Sequence, residues 1–590
     1  MRSLLATMRD ATALVWQAGR RRCLLVAVLQ AATALLLGAQ VLLGRAALQA
    51  VLRADQDGGS IRGAVVPLVA LAAAGALASL STPVLAQEQR LLGELVQRAT
   101  YDQVLDVTES VDLLSFESPE FFDRLQRVQA NALPRPLIVT QGLVQLLGGL
   151  AGVAALVVAL LALEPLLVPL LLAAGVPLLW LGQRGSAMEF TFAVEQTPAM
   201  RLRHYLRGLL TGRDEAKEVR TFSAQPLLRA RYDALWDDYV GALRVQVRRR
   251  LRLALLSTAL VTATTAATLL ALLLLVVDDR ISLAEAGAAA IAVRLLSGRL
   301  EMVFAALGRL LESALFLQDL RDFLSLRRDA VAAPAAAPAG FEMLAAQGVR
   351  FRYPSGEHDV LDGVDLELRR GEVVALVGEN GSGKTTLVKV LAGLYAPTGG
   401  SVSWDSVDVA ALDPGVVRRR TAVVFQDFVH YALPGRDNIA LGFREGLDDV
   451  VASARTAHAD GFLSRLPLGY ETVLSAEYAD GTDLSGGQWQ RLALARALHR
   501  DAALVLLDEP SAALDPRAEQ RLFETVRGLL ADRAVVLVSH RFSTVRSADR
   551  ILVMAAGRIV EQGTHEELMA LGGGYAELYT MQASGYRGSA

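Results

Sequence analysis

The chain has 590 residues, a net charge of -3, 53% apolar and 21% charged residues. That balance is too apolar for an ordinary soluble chain and points to a membrane-resident portion; it excludes a strongly basic nucleic-acid binder and an acidic tail. The single cysteine, Cys23, rules out an intramolecular disulfide and reads as a core residue.

The first half carries the long apolar runs. A hydrocarbon core of about 30 Å asks for about 20 apolar residues in a helix. Six segments are expected to span: 23–44, 64–86, 137–163, 165–182, 253–277 and 283–307. The sixth is interrupted by Glu285, Arg294, Arg299 and Glu301. The first is too long for a secretory signal, and further spans follow it. Pro67, Pro83, Pro169 and Pro177 lie inside spans and are expected to kink rather than end them.

Basic residues set the orientation. Arg2, Arg9, Arg20, Arg21 and Arg22 precede the first span, and Arg244, Arg248, Arg249, Arg250 and Arg252 crowd the fifth. Both groups belong on the cytoplasmic side, so the N-terminus and everything after the sixth span are cytoplasmic. The inside connections Gln87–Pro136 and Gln183–Arg252 are long, charged and helix-favouring, and are expected to continue the spans into the cytoplasm. A short connecting helix is expected in each, near Ser118–Arg127 and Asp214–Phe222. An Ala/Pro-rich linker, 325–340, closes a membrane domain of 1–324 and precedes a second domain of 341–582 and a tail of 583–590.

The second domain alternates short apolar strands with charged helices. Strand Val373–Val377 runs into Gly378-Glu379-Asn380-Gly381-Ser382-Gly383-Lys384-Thr385-Thr386 and then the helix Leu387–Leu394. This is G-x-x-x-x-G-K-T in its strand–loop–helix setting. Its backbone N–H groups and helix N-terminus suit phosphates, with Lys384 for the β and γ phosphates of ATP and Thr385 for Mg²⁺. A second apolar strand, Ala503–Leu507, ends in Asp508-Glu509. Asp508 suits the Mg²⁺ shell, and Glu509 can polarise an attacking water. A third, Ala534–Ser539, ends at His540, and Gln426 follows Ala422–Phe425. Leu484-Ser485-Gly486-Gly487-Gln488 opens a helix. Alone it reads as an N-cap or as a second set of N–H groups for a phosphate.

In this order the motifs resemble the cassette of the ATP-binding cassette (ABC) family, over about Phe351 to Gly563. Leu484–Gln488 matches its signature sequence. The resemblance implies that Tyr353 stacks on adenine, and that Gln426 senses Mg²⁺ and contacts the membrane domain. It implies that Asp508 is the acidic metal-site residue, that Glu509 is the catalytic base and that His540 contacts the γ-phosphate. Ser511–Asp515 resembles the loop linking two ATP sites. The layout of six spans, two long inside connections and one cassette is similar to the exporter branch. There Pro119–Asp123 and Arg213–Val219 resemble coupling helices, expected near Gln426. The fold class expected is an all-α six-helix membrane domain followed by an α/β P-loop cassette.

The resemblance departs in two places. Ser475–Asp480 lacks the loop many exporters carry before the signature, and Trp489 stands where Arg or Lys is common. One cassette supplies half of each ATP site, with Ser485 and Gly487 serving another copy, so a second half-transporter is required. A homodimer is the simpler expectation and a heterodimer the alternative. Fused domains, with no substrate-binding module, disfavour an importer; an ATP-gated channel or regulatory membrane ATPase is the other alternative. Only Met1–Arg22 precede the first span, so a leader-cleaving peptide exporter is not expected. The Ala/Leu/Arg-rich composition is associated with a high-GC bacterium and hence with an inner membrane. The transported substrate, whether small molecule, lipid or peptide, is left open.

Overall fold

In the computed structural model the chain divides into two compact units. One is Met1–Val111 with Glu120–Arg328; the other is Asp112–Pro119 with Asp329–Ala590. The structure describes residues 2–56, 62–129, 133, 135–161, 175–278, 280–327, 338, 340–443, 446–510, 528 and 532–587. Residues 162–163 of the third expected span, 165–174 of the fourth, most of the linker and Ser511–Asp515 lie outside these.

The first unit is helical. Its elements are α1 (Arg2–Gln56), α2 (Arg62–Ser110), α3 (Pro119–Arg127), α4 (Arg135–Leu161), α5 (Gly175–Thr211), α6 (Arg213–Thr221), α7 (Gln225–Val277) and α8 (Leu283–Leu324). Among the described residues four helical stretches are long and apolar enough to cross a membrane: Thr12–Arg53, Gly63–Ser110, Arg135–Leu161 and Gln225–Val277. α8 is continuous through 283–307, but its charges keep it below that apolar standard. Pro67 and Pro83 sit inside α2 without ending it. α1 breaks instead at Gly19 (φ -163°, ψ 63°), just ahead of Arg20–Arg22. A Cβ there would meet Leu92 at 2.9 Å, so a residue without a side chain lets α2 come close.

α4 packs on α8 through glycines, in the small-residue mode that membrane helices use in place of a hydrophobic drive. A Cβ on Gly149 would fall 2.6 Å from Val303, and one on Gly142 3.0 Å from Leu310. Ser282 starts α8 with a capping box: its hydroxyl accepts from Glu285 N, and its own N–H donates to Glu285 Oε2 at 3.0 Å. α2 runs unbroken to Ser110, as the charged, helix-favouring sequence after Gln87 leads one to expect. α3 buries Phe121 against Phe323 at 5.9 Å between ring centres.

The second unit holds two sheets. Four strands, β1 (Met343–Phe351), β2 (Leu361–Arg369), β4 (Gly399–Trp404) and β5 (Val407–Asp408), form an antiparallel sheet in the order β2-β1-β4-β5. Six strands, β3 (Val373–Gly378), β6 (Thr421–Val424), β7 (Leu504–Asp508), β8 (Ala534–Val538), β9 (Arg550–Ala555) and β10 (Arg558–Gly563), run in the order β10-β9-β3-β8-β7-β6. All pairs there are parallel except β9–β10. β7 and β8 are buried at every residue, which is why they read as unbroken apolar runs rather than alternating ones. The helices that matter below are α9 (Lys384–Leu391), α10 (Gly435–Ala440), α11 (Gly486–His499), α12 (His565–Leu571) and α13 (Gly574–Arg587). α13 continues into the first residues of the expected tail.

Candidate nucleotide site

Parallel strands collect their loops at one edge, and ligands bind outside the carboxyl ends. β3 ends in the glycine loop, β6 before Gln426, β7 in Asp508-Glu509 and β8 before Ser539-His540. Strands β3, β8, β7 and β6 are adjacent in that order, so the four motifs line up along one rim.

The loop is built by backbone constraint. Gly383 caps α9 at φ +100°, and a Cβ on it would come within 2.8 Å of Val360 O. A Cβ on Gly378 would fall 2.2 Å from Met554 O. Neither position has room for a side chain. Lys384, 7% exposed, folds back and donates to Gly378 O at 2.9 Å and to Glu379 O at 2.8 Å. Burial pulls its ammonium below the ordinary lysine range, against the attraction of Asp508 and Glu509. Tyr353 hydrogen-bonds through its hydroxyl to Thr386 Oγ1 at 3.1 Å, and its ring stands edge-on to Phe351.

Asp508 is 2% exposed, and its Oδ2 has no hydrogen-bond partner among the described residues. Burial raises its pKa; a hydrogen bond with Thr385 works the other way. A buried, unpaired carboxylate oxygen beside a hydroxyl is the donor set of a hard cation such as Mg²⁺.

Glu509 has a left-handed backbone, φ +51°, a strained state for a non-glycine residue and one that clusters at working sites. Its N–H is tied to Val538 O at 3.0 Å. Its two carboxylate oxygens are held separately: Gln426 Nε2 donates to Oε2 at 3.0 Å, and His540 Nε2 meets Oε1 at 3.0 Å. Three residues singled out from three different strand ends thus form one connected group.

Ser485 caps α11 in a second capping box. Its hydroxyl accepts from Gln488 N at 3.4 Å, and its N–H donates to Gln488 Oε1 at 2.8 Å. Ser485 and Gly486 are exposed. No hydrogen bond among the described residues joins Ser485–Gln488 to the glycine loop of the same chain.

Sequence reasoning missed two parts. Gln490 donates to the backbone carbonyl of Glu509 at 3.3 Å, and Gln582 of α13 to that of His540 at 2.8 Å. Neither lies in a motif, so only the fold could bring it in. The departures resolve locally. Trp489 is 2% exposed and stacks on His430 at 4.3 Å with rings 7° apart, so it is a core residue here. Ser475–Asp480 is a tight turn in which Gly481 N donates to Tyr478 O at 3.0 Å.

Residues 361–512 match the ABC transporter family. Over 96% of its length the chain superposes on 98% of a bacterial Atm1-family ABC exporter with ATP bound, with a TM-score of 0.81 at 25% identity. The chain belongs to the ABC transporter family, on its exporter side. It is a half-transporter with one cassette, an ATP-binding domain behind a helical membrane domain. The ATP-dependent lipid A-core flippase of Chromohalobacter salexigens is 44% identical over 40% of this chain and 40% of its own length. The subtilin transport ATP-binding protein SpaT of Bacillus subtilis is 29% identical over 79% of this chain and 77% of its own. The leukotoxin translocation protein LktB of Mannheimia glucosida is 41% identical over 40% and 34%. The chain thus spans well under half of two of these three relatives.

Proposed function

We propose that two copies of this half-transporter form an exporter driven by ATP hydrolysis at two composite sites. The observation that carries the reading is Glu509, held on one oxygen by Gln426 and on the other by His540, beside the unpartnered Oδ2 of Asp508. In this reading Lys384 leaves the two loop carbonyls for the β and γ phosphates, whose charge repays its burial. Thr385, Asp508 and Gln426 would hold Mg²⁺, which when bound would neutralise phosphate charge. Glu509 orients and polarises the water, and the Gln426 and His540 contacts keep its carboxylate aimed. Gly378–Thr386 and Tyr353 bind the rest of the nucleotide. The exposed N-terminus of α11, with Ser485, Gly486, Gly487 and Gln488, serves the γ-phosphate bound by the other copy.

The same reading takes the expected six spans, the 325–340 linker and a cytoplasmic cassette over into this chain. The positive flanks of the first and fifth spans support that orientation, in a bacterial inner membrane. The relatives' names cover a lipid A-core flippase, a subtilin transporter and a leukotoxin translocator, so they do not narrow the cargo.

The test is ATP turnover by this chain alone, purified and reconstituted in lipid, beside Glu509→Gln. Turnover is expected in the parent and a loss of at least 10²-fold in the variant, with ATP binding kept. A parent that binds ATP without turnover overturns the homodimer and calls for a second, different half-transporter. Transport that survives in Glu509→Gln favours a gated channel.

A further inference from the structure

Charges inside a membrane span are costly and are retained for a use. Those on and around α8 fall into two groups. The first is neutralised: Arg45 of α1 pairs with Glu285 at 2.5 Å, Arg135 of α4 with Glu312 at 2.7 Å, and Arg127 with Asp319 at 3.8 Å. The second is not. Among the described residues Arg294, Arg299 and Arg309 have no ion-pair partner, and Glu301 has none either.

The unpaired group is organised. Residues 294, 298, 301, 305 and 309 recur at helical spacing on one face. Arg294, Gly298, Glu301, Met302, Ala305 and Arg309 are all exposed in the protomer. Arg299 lies off that face, but its stem runs over Gly152 of α4, where a Cβ would come within 3.1 Å of its Cδ. Its guanidinium then reaches Met302 Sδ at 3.9 Å, which brings the charge back to the exposed face. Arg309 is steadied by Gln145 of α4. The result is a stripe of three guanidinium groups and one carboxylate, interleaved with small or apolar positions. Lipid tails cannot face such a stripe, so it borders a watery cavity.

We propose that this stripe recognises the cargo, and that the cargo is an anionic amphiphile with a carboxylate or phosphate head on an apolar body. This rests on the reading of the chain as an exporter. Guanidinium forks match carboxylate and phosphate oxygens two at a time. Ile291, Met302 and Ala305 offer the apolar surface for the body. A cationic cargo would meet three guanidinium groups against a single carboxylate, a net like-charge repulsion.

The experiment measures binding without ATP, so that it stands apart from hydrolysis. The purified chain in nanodiscs is titrated with 12-NBD-dodecanoate and with the matching NBD-alkyl trimethylammonium, followed by fluorescence anisotropy against empty nanodiscs. The carboxylate probe is expected to bind at least ten-fold more tightly than the cationic one. Arg294→Gln and Arg299→Gln each reduce carboxylate binding several-fold, and Arg299→Lys recovers part of it. Arg294 is exposed, so its substitution removes charge without opening the core. Equal binding of the two probes overturns the proposal, as does carboxylate binding unchanged in both glutamine variants. Silent ATPase activity with intact anion preference would sink the hydrolytic reading and leave this one standing.

Discussion

The side-chain amide of Gln582, near the C-terminus, donates a hydrogen bond to the backbone carbonyl of His540 at 2.8 Å. The helix that carries it, α13, is moored at its start by Glu561, which accepts from Gly574 N at 2.6 Å and Tyr575 N at 3.1 Å. Tyr575 is fully buried. Behind the strand-end rim the two sides line an open cleft of about 290 Å³, with Val377, Gly378, Ser539 and His540 facing Leu578, Met581 and Gln582. Gln582 thus fixes the main chain of a residue whose ring reaches Glu509. Gln582→Ala removes a hydrogen bond worth about 1 kcal/mol, equivalent to about a five-fold fall in kcat, with KM for ATP little changed. Steady-state ATPase kinetics of the two proteins check this; a pure rise in KM would assign Gln582 to nucleotide binding instead.

Gly383→Ala is expected to abolish ATP binding rather than slow turnover. The new Cβ would face Val360 O at 2.8 Å in a backbone state at φ +100°. That conformation costs an alanine on the order of 1–3 kcal/mol before the clash is counted. Equilibrium titration with a fluorescent ATP analogue reads the loss directly.

Trp489→Ala tests the stack on His430. Arg496 lies over the Tyr431 ring at 5.0 Å and over Trp489 at 5.9 Å, and donates to Asn438 O at 3.0 Å and Val429 O at 2.8 Å. Burial lowers the Arg496 pKa to about 10, so its environment tolerates little more loss of partners. Truncating a buried tryptophan costs about 3–5 kcal/mol. A fall in Tm of roughly 10 °C is expected by thermal unfolding monitored through the remaining tryptophans.

A pH dependence is expected from the same end of the chain as Gln582. His565 bonds through Nδ1 to the Tyr575 hydroxyl at 2.7 Å. Burial, followed by the nearby Arg546, holds its pKa below the ordinary 6.5, while Glu566 opposes them. A histidine with a depressed folded pKa favours the folded state above its unfolded pKa, because the unfolded chain takes up the proton first. Its contribution is therefore complete above about 6.5 and is lost as the pH falls towards the folded value. Between pH 7.5 and 5.5 the Tm of the parent should fall further than that of His565→Gln.

The cassette was legible because its chemistry sits at the ends of strands buried on both faces. Four apolar runs, ending in Gly378, Gln426, Asp508-Glu509 and His540, marked the strand ends, and the strand order then set them along one rim. Periodicity says nothing about strand order, yet parallel strands must share an edge whatever their order. Trp489 read as a departure from a pattern, because the sequence has no marker for the ring of His430 on which it stacks. Gln582 gave no signal, since a glutamine on an amphipathic helix looks the same whether it meets water or a carbonyl. The break in α1 was missed for a related reason: Gly19 lies within an otherwise helical pattern, and only the approach of Leu92 explains it. In α8 the charges were visible from the start, but which arginines have carboxylate partners depends on α1, α3 and α4.

The left-handed backbone of Glu509 carries a practical warning. Glycine adopts that φ without strain, and asparagine tolerates it better than glutamate does. Screens that select thermostable forms of this transporter should therefore favour exchanges at position 509, and the survivors would be sturdier and inert. In the proposed mechanism, relieving the strain at this position also removes the general base, so heat resistance is a poor guide to a working cassette here.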